Sequence, residues 1–460
     1  MTSNWTIARA RDGAPALVRP DGSWYDSRFK PGVDAGRRTA DLGVAEGETI
    51  LLLGAGAGTL PSAILEAVGA TGHVIIFEPE AGVIEALRTV ARESPWNGTR
   101  VTLNALGEAR DDDPPGWRVH ATATALLNAL AATADFDRFL VHPGLRLDDE
   151  LAGLGTIIDD LEIRRRSWKR FQPLLEKNLA LNRDAFLAAP GVNELAGRLA
   201  GATIVVAGGG PSLDSLAPRL GEAPHWIAVG RALRPLTCRG IRPLFTVITD
   251  PQEEAAFQVA DLELPPLVSF PTTASAAVDQ ATTLIAALPE GEGGRRLAPL
   301  RQEIGELPAG GTVTTTAIGL AVLLGATRIL LAGVDLTEPG GRSHARGGQD
   351  ERLAARSLSR FHSMEEGRRR AEDNLRRRGE RIEIHSVRGE SVPTRKNLRI
   401  YARAIEQLAR RHPAIEFLQL SPDAAPLAGV RFAPSIPPIE PKRQISIPSG
   451  TRMRKNRDLL

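Results

Sequence analysis

Residues 203–214 read TIVVAGGGPSLD, and no other stretch restricts the fold so tightly. Four β-formers run into three glycines, then a proline and a serine at the mouth of a helix. Gly208, Gly209 and Gly210 carry no Cβ, so their backbone N–H groups can approach an anion closely. Pro211 presets φ for a first helical turn, and Ser212 can cap it or touch a phosphate. The helix start adds unpaired N–H groups and the positive end of the dipole. Such a junction holds a nucleotide or nucleotide-sugar, or it is a glycine-rich turn that binds nothing. Taken alone it favours neither.

The chain around it repeats the same grammar. From about 38 to 145, ETILLLGAG, HVIIFEPE, RVTLNAL and RFLVHPG read as strands separated by helical LPSAILEAVGA and AGVIEALRTVARE. A long helical stretch spans about 149–199. A second alternation then runs through TIVVAGGG, HWIAVG, RPLFTVITDP, PPLVSFP, TTLIAALP and RILLAGVDL to about 345. Strand–helix alternation implies parallel sheets with helices on their faces. The expected fold class is α/β: two Rossmann-like open parallel sheets plus a helical C-terminal region. The expected domains are 1–148, a helical linker and central domain over 149–348, a helical region over 349–432, and a Pro-rich basic tail over 433–460. That tail has little to bury and reads as extended or disordered.

Composition excludes several classes. A length of 460 residues, 42% hydrophobic and 24% charged, suits two or three ordinary globular domains. The single cysteine, Cys238, permits no internal disulfide framework and fits a reducing compartment. No apolar run serves as a signal peptide or reaches spanning length, so a cytoplasmic protein with no membrane span is expected. Arginine clusters at 164–166, 368–370 and 376–378 are interleaved with acids, as on a solvated helix face, and no aromatic stacking set accompanies them. Nucleic acid is not expected as a partner. No cluster with metal-ligand spacing appears, so no metal is assigned.

The candidate chemistry gathers at strand ends. Gly54-Ala55-Gly56-Ala57-Gly58-Thr59, with Glu78 closing the next strand, follows dinucleotide or adenosyl logic and resembles motif I of S-adenosylmethionine-dependent methyltransferases. No methyl-acceptor motif follows, which favours a scaffold. In the second alternation Asp250 and Asp335 each close a strand, and Thr314, Thr315 and Thr316 open an apolar helix. Parallel strands end on one edge, so these groups and the 208–212 turn should face one crevice. His344, in GGRSHARGG just beyond Asp335, is the histidine placed nearest that crevice and is a candidate general base.

The runs VVAGGGPSLDSL, HWIAVGRALRPLTCRGIRPLFTVITDP, GGTVTTTAIGLAVLLGATRILLAGVDL and GGRSHARG resemble the Maf family, the motility-associated flagellin glycosyltransferases. The same core resembles CMP-sialic-acid-dependent sialyltransferases and, more distantly, an archaeal hydroxymethylpterin pyrophosphokinase. The resemblance spans about 175–345 and extends more weakly into EKNLALNRDAF before it and VPTRKNLRIYARAIEQLARRHPAIEF after it. It implies transfer of a nonulosonic acid from a CMP-activated donor substrate, with no other cofactor, to Ser or Thr of flagellin. Gly208, Gly210 and Ser212 would then hold CMP. Thr314, Thr315 and Thr316 would meet the phosphate or donor carboxylate, Asp250 and Asp335 would border the pocket, and His344 would be the base. Gly230-Arg231 stands where relatives usually carry Asn, so a nucleotide-contacting amide is lost or replaced by a guanidinium. Two other readings remain: a pterin pyrophosphokinase-like enzyme using ATP and Mg²⁺, and a non-catalytic flagellin-binding protein.

Overall fold

The computed structural model describes residues 5–80, 82–91, 100–133, 136–146, 171–221, 223, 225–290, 304–309, 311–349, 351, 369, 373 and 381–439. The chain divides into two compact units, Met1–Ser167 and Trp168–Leu460.

The first unit opens with a hairpin, β1 (Thr6–Arg9) and β2 (Pro15–Val18), paired antiparallel. Five parallel strands follow: β3 (Thr49–Leu53), β4 (His73–Glu78), β5 (Val101–Leu106), β6 (Trp117–His120) and β7 (Arg138–Val141). They lie in the order β6-β5-β4-β3-β7. The run TILLL of β3 is apolar on both faces because helices cover both, and Ile50 to Leu53 are buried. The order reverses between β3 and β7, and the crevice where such sheets take ligands opens at that switch point.

The second unit holds an eight-stranded sheet. Its strands are β8 (Thr203–Ala207), β9 (Trp226–Val229), β10 (Phe245–Ile248), β11 (Leu267–Ser269), β12 (Leu284–Ala286), β15 (Arg328–Ala332), β18 (Glu416–Gln419) and β19 (Arg431–Phe432). A short pair, β13 (Leu288–Pro289) and β14 (Glu306–Leu307), and a hairpin, β16 (Arg381–His385) and β17 (Ser391–Arg395), stand outside it. The order β12-β11-β10-β9-β8-β15-β18-β19 is parallel throughout and reverses between β8 and β15. The α/β class with open parallel sheets is therefore observed.

The C-terminal region supplies the amphipathic Lys396–Arg411 helix, which buries Ile400, Ala404, Ile405, Leu408 and Ala409. That spacing is one helical face. It also supplies β18 and β19, which its charge pattern did not announce. Ile436 and Ile439, at the start of the Pro-rich segment, pack against the central core. The arginine runs at 164–166 and 376–378, nearly all of the charged stretch over 350–380, and 440–460 lie outside the described residues.

EKNLALNRDAF belongs to the helix over 171–188. Asn178 and Asn182, four residues apart, face the sheet and are buried. Asn178 Nδ2 donates to Pro251 O at 2.8 Å and Thr272 O at 3.1 Å. Asn182 Nδ2 donates to Pro271 O at 2.9 Å and Thr273 O at 2.7 Å. The pair clamps the turns that follow β10 and β11, fixing the crevice edge. Asn182→Ala leaves two buried carbonyls without donors and should cost about 2 kcal/mol in urea unfolding. A change below about 0.5 kcal/mol would show that the clamp is redundant.

Candidate functional site

At the central switch point the two glycine turns interlock. Gly208 N–H donates to Ala332 O at 2.8 Å, and Gly210 N–H to Gly333 O at 2.7 Å, carrying the β8–β15 ladder past the strand ends. A Cβ on Gly208 would meet the Gly333 carbonyl, and one on Gly210 would meet that carbonyl and the Asp335 carboxylate. None of Gly208, Gly209 and Gly210 has positive φ. Close approach demands the glycines here, and two of their three N–H groups are spent inside the protein.

Asp335 lies beneath the turn, 2% exposed. Its Oδ2 accepts the Ser212 N–H at 2.9 Å. The Ser212 and Ser421 hydroxyls lie against the same carboxylate, while Oδ1 has no partner of hydrogen-bond geometry. Burial pushes the carboxyl upward, opposed by the serine contacts. The next residue, Leu336, has φ 56°, a left-handed backbone rarely adopted by a branched side chain. It is held by Thr394 Oγ1 donating to Leu336 O at 2.7 Å and by Thr337 Oγ1 donating to Asp423 O at 2.7 Å. The turn above closes the Asp335 carboxylate off from solvent.

His344 is brought to the turn. Ala345 N–H donates to Gly209 O at 2.9 Å, and a Cβ on Gly209 would stand 2.8 Å from Arg231 Cβ and 3.6 Å from His344 Cδ2. Gly209 is thus flanked by the exposed Arg231 and by the imidazole, whose Nδ1 is 3.0 Å from Ser343 Oγ.

The threonines divide. Thr315 Oγ1 donates to Thr312 O at 2.6 Å and Thr316 Oγ1 to Pro308 O at 2.7 Å, and both are buried. Thr314 is half-buried, one residue into the Val313–Leu323 helix that Thr312 caps. Asp250 Oδ1 accepts Gln252 N–H at 3.0 Å, a local turn.

Sequence reasoning missed Tyr401 on the C-terminal helix. Its ring would stand 3.6 Å from a Cβ on Gly311, at the start of the threonine helix. Burial raises its phenol, a contact with Asn397 opposes this, and Asp250 adds to the rise. Gly311 and Asp250 lie 90 and 151 positions from it in sequence, beyond any local pattern.

The N-terminal switch point is filled by its own chain. Gly54, Gly56 and Gly58 all have positive φ, as a tight strand-to-helix turn requires. Glu78 Oε2 accepts Ala55 N–H at 2.7 Å and Tyr25 OH at 3.1 Å, and Oε1 accepts Glu80 N–H at 2.9 Å. Asp26 Oδ2 accepts Ala57 N–H at 2.9 Å and Leu17 N–H at 2.7 Å, while its Oδ1 lies 3.2 Å from His142 Nε2. Tyr25 is buried against Gly54 and His142 with the Arg19 guanidinium over its ring at 4.8 Å. The N–H groups that would face a ligand already hold two internal carboxylates.

Burial raises the Glu78 carboxyl from 4.5 to about 7, against the hydrogen bonds from Ala55 and Glu80. The fold therefore prefers the protonated acid. Its contribution is full below the unfolded value and is lost as pH rises through about 7, an effect of about 3 kcal/mol. Glu78→Gln should flatten the fall in stability of the first unit between pH 4.5 and 7.5. An unchanged pH dependence in urea unfolding would remove Glu78 as its cause. In the central turn, Gly210→Val should lower stability by about 1–3 kcal/mol, because Gly333 and Asp335 occupy the space. Unaltered thermal unfolding would show that the turn yields freely.

Part of the second unit is similar to a known family model. Residues 177–341 match the family model described as 6-hydroxymethylpterin diphosphokinase MptE-like. Among solved structures, the Maf glycosyltransferase from Magnetospirillum magneticum AMB-1 aligns over 96% of this chain and 72% of its own, at 16% identity and a TM-score of 0.47. MnmC2 from Aquifex aeolicus aligns over 34% of this chain and 56% of its own, at 16% identity and a TM-score of 0.23. No curated protein matches. The interlocked turns, the β8–β12 and β15 strands and the threonine helix all fall within the matched span, and residues 177–341 form an MptE-like domain.

Proposed function

We propose that this chain is a cytoplasmic glycosyltransferase of the Maf type, moving a nonulosonic acid from its CMP-activated form to Ser or Thr hydroxyls of flagellin. The observation that carries this reading is His344 held beside Gly209 and Arg231 at the switch point of the MptE-like domain. In this scheme Arg231 and the Thr314 hydroxyl meet the donor's anionic groups. The bond from the anomeric carbon to the CMP phosphate oxygen breaks with its electron pair, and CMP departs as the sugar gains oxocarbenium character. The acceptor oxygen bonds to that carbon and yields its proton to the His344 imidazole. Gly208, Gly210, Ser212, Thr315, Thr316 and Asp335 shape the site from beneath, and Asp250 borders it. The first unit serves as a scaffold, because its glycine turn is already occupied.

The family description favours one second reading, a pterin pyrophosphokinase using ATP and Mg²⁺. Ligand choice separates the two. CMP should raise the melting temperature and bind in calorimetric titration, whereas ATP with Mg²⁺ should do neither. The reverse result would establish the kinase. His344→Ala should lower transfer to flagellin about a hundredfold with CMP affinity near that of the wild type. Intact-mass analysis of flagellin showing full modification by the variant would remove His344 as the base.

A further inference from the structure

We propose that Asp214 is a positioning residue, the latch that holds the glycine-hinged segment 341–347, with His344 in it, over the glycine turn. The catalytic side of this proposal rests on the transferase reading; the latch itself does not.

One carboxylate gathers three donors from two other parts of the chain. Asp214 Oδ2 pairs with Arg342 Nη2 at 2.6 Å. Its Oδ1 accepts Arg346 N–H at 3.0 Å and Arg239 Nη2 at 2.9 Å. Arg342 and Arg346 lie on either side of His344, so both ends of the segment are fastened to the same side chain. Arg239 is fixed from behind by Nη1 donating to Pro235 O at 2.8 Å, which keeps the carboxylate aimed at the segment. Asp214 and Arg342 are 19% and 26% exposed, partly shielded from water, where charge-assisted hydrogen bonds outweigh a surface pair.

The segment is bounded by glycines at both ends. Gly340, Gly341 and Gly347 have φ of 60°, 70° and 74°, and a Cβ on any of them would meet nothing within 4 Å. Packing does not demand these glycines; the backbone conformation does, and it occurs at both ends. Between the hinges Ala345 N–H also donates to Gly209 O at 2.9 Å. Arg342 Nη2 also reaches His344 O at 3.4 Å, so the latch bears on the backbone of the candidate base. Ala345 packs into the central core, so the latch acts on a segment anchored at its middle by one small side chain and fastened at its ends by Asp214.

Limited trypsin digestion of the full chain, read by mass, tests the latch. Asp214→Asn should speed cleavage after Arg342 and Arg346 at least tenfold, with cleavage after Arg328 in β15 unchanged. Arg342→Gln, which spares the Asp214–Arg239 pair, should speed cleavage after Arg346 to a similar degree. Asp214→Glu, which keeps the charge, should restore most of the protection. Equal acceleration at Arg328, no acceleration, or an effect of Asp214→Asn without one from Arg342→Gln would overturn the proposal. Saturating CMP should slow both cuts in the wild type. A latch effect without CMP protection would count against the nucleotide site and leave the latch standing.

Discussion

The contact between the turns after β8 and β15 governs the central unit. Two backbone hydrogen bonds of 2.7 and 2.8 Å continue the ladder beyond the end of β8, and a Cβ on Gly208 or Gly210 would strike the Gly333 carbonyl. Once the turns meet, Asp335 has nowhere to go but beneath Ser212, and Leu336 is driven into a left-handed backbone. The strand-end groups that follow inherit their positions from that closure. An interaction of bare backbone, with no side chain of its own, sets where Asp335 and Ser212 meet.

Both sheets solve the same electrostatic problem in the same way. A strand that ends in a glycine turn and opens a helix exposes N–H groups that seek an acceptor. In the first unit Glu78 and Asp26 supply it, and in the second Asp335 does. The N-terminal turn is thereby satisfied by Glu78 and Asp26 and roofed by Tyr25. In the central turn Asp335 accepts Ser212 N–H from beneath, while Gly209 stands between Arg231 and His344 and its carbonyl accepts Ala345 N–H.

The sequence was legible where structure follows from neighbours. TILLL, TIVVA, FTVI and RILLA are apolar on both faces and end at glycine or an acid, and each is a strand. Both glycine junctions were equally plain. Illegible was anything whose partner lies far along the chain. Asp26 meets a turn 31 residues on, Arg342 meets Asp214 across 128, and Asn182 supports a loop across 91. EFLQ hid in a region dominated by charge, although its pairing with β15 places it in the core. The glycines at 208–210 were read for what they would let in, and their more immediate use is to let two backbones touch.

The strand order carries a consequence for synthesis. β8 acquires its neighbour β9 within about 25 residues, but its other neighbour, β15, begins at Arg328, and β15 in turn waits for β18 at Glu416. As the chain leaves the ribosome, β8 through β12 can assemble into a sheet whose edge is β8 itself, apolar on both faces and unpaired along one side. Edges of that kind recruit foreign strands. That edge stays unpaired until β15 is made, so the glycine turn is the last part of the central sheet's first half to be sealed.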